Sequence, residues 1–595
     1  MTSGPGGSQP PARRRRRRVI IAVVVLVALG WTAAAGYQLI QAKNHAQAGL
    51  DQLETAQDGL DPAALIRGQG LPAMRSARGE FHQAADAADS ALLVPFQVLP
   101  YVGRQVRSVK ALTSGASTVV DVVVTAMERS TKELAAKTTS GADRIELLDR
   151  LGVIGREAAK GLSTVGLGPN EALAGPLERA RRKFSRQLTK ARRATHDVAV
   201  ATAGVASMLT GPSHYLLLAA NEGEMRSGSG MLLSAGILST LGGQFSLGDM
   251  VSVTDLELPP GAVPATGDFG ARWGWLGPTE EWRYLAMSPQ FDVTGSLAAQ
   301  MWKAKTGEDV DGVFALDAVA LHALIKVSGP VIVDGKVIDE GNVINEILLQ
   351  QYLDTPSAAT DPESDLPANR ARRDRNGVIA RAIVDQLDKA GWDIADLVDD
   401  LRSAARGRHV LFWSSKPEQQ RAWAAAGVSG VLPRTGFMVS VENRGGNKLD
   451  QFLPVETTIT HRKVKLGTRV RARITLRNQA PGAGLSRYVE GPYPFSSYAP
   501  GEYRGILSIN IPSAAGNVSL DGVSRLVAAG ADGSSQVIAG DVGLLRGESK
   551  TYTVEFTVPA DVRGMEVVPS ARFPAIHYSA GSHTWDDDGP HSIRW

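Results

Sequence analysis

Between Gly211 and Leu256 the chain sets short apolar runs against glycine-punctuated polar breaks. Two of those runs, His214–Ala220 and Met231–Leu238, enclose the charged segment Asn221-Glu222-Gly223-Glu224-Met225-Arg226-Ser227-Gly228-Ser229-Gly230. Apolar runs of this length bounded by turn residues predict strands. Further strands are predicted at Met250–Leu256, Gly312–Leu316 and Gly329–Val333. They alternate with helix-period patterns at Thr294–Thr306, Ala318–Ser328, Gly341–Tyr352, Arg370–Ala390 and Trp392–Ala405. Strand–helix alternation predicts an α/β domain, placed over residues 211–435.

The texture differs on either side. Residues 41–210 are rich in Ala, Leu, Gln, Glu, Arg and Lys, with apolar positions at three- and four-residue steps such as Leu50, Leu53, Leu60 and Val119, Val122, Val123, Met127. That period predicts several antiparallel helices in a stalk or bundle, broken at Pro62, Pro72, Pro95–Gly103 and Gly161–Pro176. Over residues 436–595 the period switches to two, in runs such as Val455–His461, Arg469–Arg477 and Thr551–Val558 separated by Gly- and Asn-rich turns. Seven or so short alternating strands predict an antiparallel β-sandwich. The expected class is therefore α+β and multidomain.

The first residues change the picture from soluble to anchored. Met1–Ala12 is largely Pro, Gly and Ser, and Arg13–Arg18 is six consecutive cations. Removing those six takes the formal net charge from +3 to −3, so the basic balance belongs to one short tail and no nucleic-acid partner is expected. Val19–Gly36 follows without a charge and is just long enough to cross a bilayer. Arginines before it and none directly after it predict a single-pass helix within residues 19–40, residues 1–18 cytoplasmic and the bulk extracytoplasmic. Ala33-Ala34-Ala35 leaves a cleaved secretory peptide open as the alternative. The absence of cysteine removes disulfides, thiol catalysis and Cys-type metal sites.

Five stretches carry a family resemblance: Leu99-Pro100-Tyr101-Val102-Gly103, Asn221–Gly243, Val310–Asp317, Ser328-Gly329-Pro330-Val331 and Asn447-Lys448-Leu449-Asp450. In that order they resemble domain-of-unknown-function family 4012, which implies an envelope protein with an exported α/β domain. The order of elements is also similar to the LytR-CpsA-Psr phosphotransferases, which move glycopolymers from polyprenyl-pyrophosphate carriers to the wall. Arg226-Ser227 before Met231-Leu232-Leu233, Asp311–Val333 and the run Arg370–Asn376 carry this second likeness. The sequence departs from the enzymes at Gly228, where they have an acid, and at Tyr352-Leu353-Asp354, where they have Tyr-x-Arg-x-Arg.

The second resemblance implies an anion or pyrophosphate site built from Arg226, Arg372, Arg373, Arg375 and Asn221, because guanidinium groups make bidentate contacts to phosphate. It also implies a Mg²⁺ held by carboxylates among Asp311, Asp317 and Asp374. Each residue has a plainer reading. Arg226 is placed to pair with Glu222 or Glu224, Gly228 and Gly230 to turn the chain, Asp311 to cap a turn, and Asp317 to N-cap the following helix. The tail His577–Asp588 offers imidazoles and carboxylates at no recognised metal spacing. No Gly-x-Ser-x-Gly elbow and no His-Glu-x-x-His occurs. The expected function is cell-envelope assembly, as a binder of a wall or lipid-linked glycan or a scaffold for envelope proteins. The alternative is a glycopolymer phosphotransferase.

Overall fold

The computed structural model describes residues 12–58, 68–135, 140–354, 367–389, 394–492 and 498–595. The fold mixes α and β, and the chain divides into two compact units, Met1–Glu133 with Val153–Ala199 and Leu134–Gly152 with Val200–Trp595.

The first unit is helical. It contains α1 (Ala12–Asp58), α2 (Leu71–Ala88), a 3₁₀ segment (Ala91–Val98), α3 (Val102–Leu134) and the unit's shares of α4 (Gly141–Ser163) and α5 (Gly175–Thr210). Pro72 sits in the first turn of α2, where its missing N–H costs nothing. Phe81 of α2 packs with Ala77, Val120, Val124, Leu50 and Leu53. Gly49 makes this possible, since a Cβ there would meet the Phe81 ring at 2.8 Å. The Val119/Val122 periodicity marks a second seam of α3, packed on Leu162 and Leu188, while Val120 and Val124 form the more buried one. The helix has two apolar seams because it has neighbours on two sides.

Residues 19–36 lie on α1, a continuous 47-residue helix, though most side chains of that stretch fall outside the described residues, as do Met1–Pro11. Among the described residues, α3 is long and apolar enough to cross a membrane. It also carries Asp121 and Glu128, paired with Arg78 and Arg75 of α2 at 2.6 Å, and buries one seam against Phe81.

The second unit is built on a mixed sheet of order β3-β2-β1-β5-β8, with β4 against β2. Its strands are β1 (Ser213–Asn221), β2 (Met231–Leu241), β3 (Gln244–Leu247), β4 (Val251–Ser252), β5 (Gly312–Leu316) and β8 (Val410–Ser414); β6 (Val331–Val333) and β7 (Lys336–Ile338) form a separate hairpin. Strands β1 and β5 run parallel and the other pairs antiparallel. The apolar runs are continuous because both faces of the sheet are covered. Tyr215, Leu217 and Phe314 face a core shared with α8 (Ala318–Ser328), α9 (Pro367–Lys389) and α10 (Ile394–Arg406). Leu216, Leu218, Val313 and Ala315 face the other core, with α6 (Gly267–Trp273), α7 (Phe291–Thr306), Trp282 and the distant residues Ile506, Val537 and Ala539.

Those last three residues belong to the C-terminal sheets. One has the order β14-β15-β12-β9-β17-β20 and the other β13-β16-β11-β10-β18-β19. The strands are β9 (Gly436–Asn443), β10 (Val455–Val464), β11 (Gly467–Arg477), β12 (Tyr503–Ile511), β13 (Gly516–Asp521), β14 (Leu526–Asp532), β15 (Ser535–Leu544), β16 (Ser549–Val558), β17 (Gly564–Val567), β18 (His577–Ala580), β19 (His583–Asp586) and β20 (His591–Arg594). Phe437, Val439, Leu507, Ile509, Val470, Ile474, Val554 and Phe556 fill the core between them.

Three expectations need correction. The C-terminal sheets are not wholly antiparallel, because β10 pairs with β18 and β9 with β17 in parallel. Met250–Leu256 is a strand only at Val251–Ser252 and then closes into a 3₁₀ turn. The helix expected over Gly341–Tyr352 contains a π-turn at Glu346–Gln350, a geometry frequent at functional sites.

Candidate functional site

The loop between β1 and β2 is buried throughout. Asn221, Glu222, Glu224, Arg226, Ser227 and Ser229 all lie inside the second unit. Local geometry forces the loop inward. Gly223 N–H donates to Asn221 Oδ1 at 2.8 Å, an Asx turn that starts the bend. Gly230, at φ +89°, completes it: a Cβ there would meet the Asn221 backbone at 2.9 Å. Ser229 also holds a positive φ, 82°, and its hydroxyl donates to Asp317.

Polar contacts from four of its residues lock this loop to the C-terminal part of the chain. Arg226 Nε donates to the Arg283 carbonyl at 3.0 Å, and one terminal nitrogen donates to Met225 O and Asn443 O, both at 2.7 Å. Its guanidinium also lies 5.6 Å from the Tyr284 ring centre. Glu224 faces Lys448 Nζ at 3.1 Å, and that ammonium lies 4.5 Å from the Tyr352 ring and 5.4 Å from the Tyr488 ring. Burial pulls the Lys448 amine down, but the Glu224 charge beside it prevails and holds it above its usual value. The Met225 amide donates to Asp450 Oδ2, which also accepts from Asn443, while Asp450 Oδ1 accepts from Tyr503 and Arg572. Ser227 donates its hydroxyl to Glu442.

The deep end of the loop forms a second cluster. Glu222, Asp317 and His409 offer ligand atoms all within 4.8 Å of one another. Asp317 caps α8, its Oδ1 accepting from Val319 N and Ala320 N at 3.0 Å each. Its other oxygen lies 2.7 Å from His409 Nδ1. Glu222 Oε2 accepts from Ala318 N at 3.3 Å, and its Oε1 has no hydrogen-bond partner among the described residues. Burial, reinforced by the negative charge of Asp317, pushes the Glu222 carboxyl well above the usual carboxylate range. The set suits either one shared proton or a small divalent cation. Asp317 already spends both oxygens on the helix terminus, Ser229 and His409, so a proton on Glu222 removes the like charge beside it with no further ligand. Glu222→Gln is therefore expected to keep the melting temperature of the full-length protein at neutral pH, and EDTA to leave it unchanged. A melting temperature that falls with EDTA and recovers with Mn²⁺ would show a cation there instead.

Of the residues expected to form an anion site, Asn221, Arg226 and Arg375 are held by the protein itself. Asn221 donates to Tyr352 at 3.1 Å and to the Ile347 carbonyl at 3.4 Å, within the π-turn. Arg375 pairs with Glu346 at 2.8 Å and Asp334 at 2.6 Å. Arg226 and Arg375 therefore hold different segments. The side chains of Arg372 and Arg373 lie outside the described residues.

The expected Mg²⁺ ligands do not come together. Asp311 and Asp317 flank opposite ends of β5, about 20 Å apart at the rise of a strand. Asp311 accepts from the His214 amide at 2.8 Å and from Lys416 at 2.9 Å. Burial raises its carboxyl, but these two donors outweigh it and hold the group below its usual value. Asp374 is exposed on α9. This set does not fit the ion. In the tail, His577 pairs with Asp586 across the β18–β19 hairpin, and Asp587 turns inward to Ser570.

His409, Glu442, Lys448 and Arg572 were not among the site candidates. His409 stands 92 positions from Asp317, immediately before a strand, with no motif around it. Lys448 and Asp450 did lie in a stretch that carried the family resemblance, which was the usable signal. No curated protein and no solved structure matches the chain. Residues 210–352, the segment holding β1, the buried loop, β2, β5 and the cap of α8, match the family model described as "Protein of unknown function (DUF4012)".

Proposed function

We propose a membrane-anchored, extracytoplasmic protein of cell-envelope assembly whose larger unit is a rigid scaffold or glycan-binding module. The anchor in this reading is Val19–Gly36 on α1, oriented by Arg13–Arg18. The single observation that carries the non-catalytic reading is Arg226. In the alternative, a LytR-CpsA-Psr-like phosphotransferase, this guanidinium would grip a pyrophosphate. Here it is buried and donates to three backbone carbonyls on separate segments. Opening it to a ligand would orphan those carbonyls and expose the joint between sheets, a cost of several kcal/mol by typical values for unmade buried hydrogen bonds.

The test uses the full-length protein in lipid nanodiscs, incubated with a polyprenyl-pyrophosphate and Mg²⁺. The expected result is no phosphate release above the protein-free rate, together with cosedimentation of the protein with purified wall glycan or with an envelope protein captured in the same membrane. Metal-dependent release, abolished by Arg226→Lys in a variant that still melts as the native protein does, would overturn the proposal in favour of the enzyme.

A further inference from the structure

The first unit carries an apolar surface that the anchor alone does not explain. Ser90–Gly103 contains no charged residue. It forms the 3₁₀ segment and the turn into α3. Val94, Val98, Leu99, Tyr101 and Val102 within it are exposed, Val98 to 83%. Consecutive exposed apolar side chains of this size are unusual in a water-facing turn and mark a surface that meets something apolar.

The position of this turn indicates what it meets. Leu93 and Phe96 pack on Ala35 and Leu39 of α1, together with Val106. Trp31 Nε1 donates to the Leu92 carbonyl at 2.9 Å. The turn is therefore clasped to α1 at residues 31–39, where the uncharged run Val19–Gly36 ends. Trp31 stands five residues before that end, about 8 Å of helix by the standard rise. Trp31 and Tyr37 on α1 and Tyr101 on the turn are all exposed at this level. Aromatic side chains of this kind gather where acyl chains meet headgroups. The first charged residue after the turn is Arg104, exposed on α3 and placed to reach lipid phosphate.

We propose that Ala91–Val102 is a membrane-inserted wedge, lying in the leaflet interface beside the exit of α1 with Val94, Val98, Leu99 and Val102 among the acyl chains. The occupant of the surface is lipid. The continuity of the patch with the anchor, its lack of charge and its aromatic rim all favour a bilayer over a protein groove. The wedge gives the protein a second attachment point and fixes the rotation of α1 about its axis, which a lone helix leaves free. It rests on the anchor reading above and would fail with it.

Because the chain has no cysteine, single-cysteine variants report position directly. Val27→Cys reports the anchor, Val98→Cys the wedge, and Ser163→Cys an exposed site elsewhere in the unit. Each full-length variant is labelled with an environment-sensitive fluorophore and reconstituted in phosphatidylethanolamine–phosphatidylglycerol vesicles, with and without lipid spin-labelled near the headgroup. The expected result is blue-shifted emission at positions 27 and 98, loss of most of the position 98 signal to the spin-labelled lipid, and water-like, unquenched emission at 163. Position 98 behaving like 163 while 27 is buried would overturn the wedge and leave the anchor standing. Water-like emission at 27 would overturn the anchor and the wedge together. Emission at 98 that is blue-shifted yet unquenched by lipid would place a protein, not a bilayer, on the patch and equally overturn the proposal.

Discussion

Asp450→Ala is expected to be the most damaging single substitution in the second unit, lowering its stability by about 3–5 kcal/mol, the usual cost of removing one partner from a buried ion pair. Asp450 is fully buried and accepts four hydrogen bonds, from Met225 N, Asn443, Tyr503 and Arg572. Truncation leaves the Arg572 guanidinium, itself buried, with only the carbonyls of residue 450 and Leu453 for partners. It also strands the Met225 amide and the Tyr503 hydroxyl. The measurement is chemical denaturation of the full-length protein in detergent, followed by tryptophan emission, since Trp273 and Trp282 sit in the core beneath the joint. The double variant Asp450→Ala with Arg572→Met should recover part of the loss, because no buried charge is then left alone. Arg477→Ala, which breaks a half-exposed pair with Glu456, should shift stability by about 0.5 kcal/mol or less. Equal losses in Asp450→Ala and Arg477→Ala would show that the joint contributes no more than the surface.

The same joint explains what could and could not be read in the sequence. Strands β1, β2 and β5 were legible because both sheet faces are buried, which makes their sequences continuously apolar. Helix α8 was legible from Asp317, whose side chain caps it as its position before an apolar run implied. The charged loop resembled part of an anion site, but its partners are residues of the protein's own C-terminal part. Polar residues interleave with apolar ones in β9 and β12, a pattern that in an antiparallel sheet usually means a solvent-facing outer face. Ser440, Glu442, Ser508 and Asn510 on that face are buried. Alternation reports which residues share a face, not whether another layer covers it. The signs of that cover were local and small: Met438, Ile506, Val537 and Ala539 are apolar residues on the same face as these polar ones. The contact between Asp317 and His409 joins distant parts of the chain, and single-sequence periodicity holds no record of such pairs.

The second large effect is on pH dependence. The melting temperature of the full-length protein is expected to fall as pH rises from 5 to 9, and Glu442→Gln to flatten that fall. Burial raises the Glu442 carboxyl to about 8, against the opposing pull of the Ser227 hydroxyl and Arg226. Asp587 is raised to about 7, again chiefly by burial, and Asp532 is raised for the same reason. Folded Glu442 and Asp587 each keep a proton that the unfolded chain releases at an ordinary carboxylate value near 4. The stability they contribute is therefore complete below that value and lost as pH rises through about 7 and then about 8. At roughly 1.4 kcal/mol per pH unit the Glu442 share is of order several kcal/mol. The depressed groups act elsewhere: Asp311 lies below the window on the acid side, and Arg408, lowered by burial to about 10, lies above it. Glutamine copies the neutral acid, accepting from Ser227 and placing an N–H where the acid carries its hydroxyl, so the variant should match the parent at pH 5 and exceed it at pH 9. If its profile instead parallels the parent's, Glu442 is ionised in the folded state. The buried loop would then be held by an ionised Glu442 accepting from Ser227 in the field of Arg226, rather than by neutral hydrogen bonds.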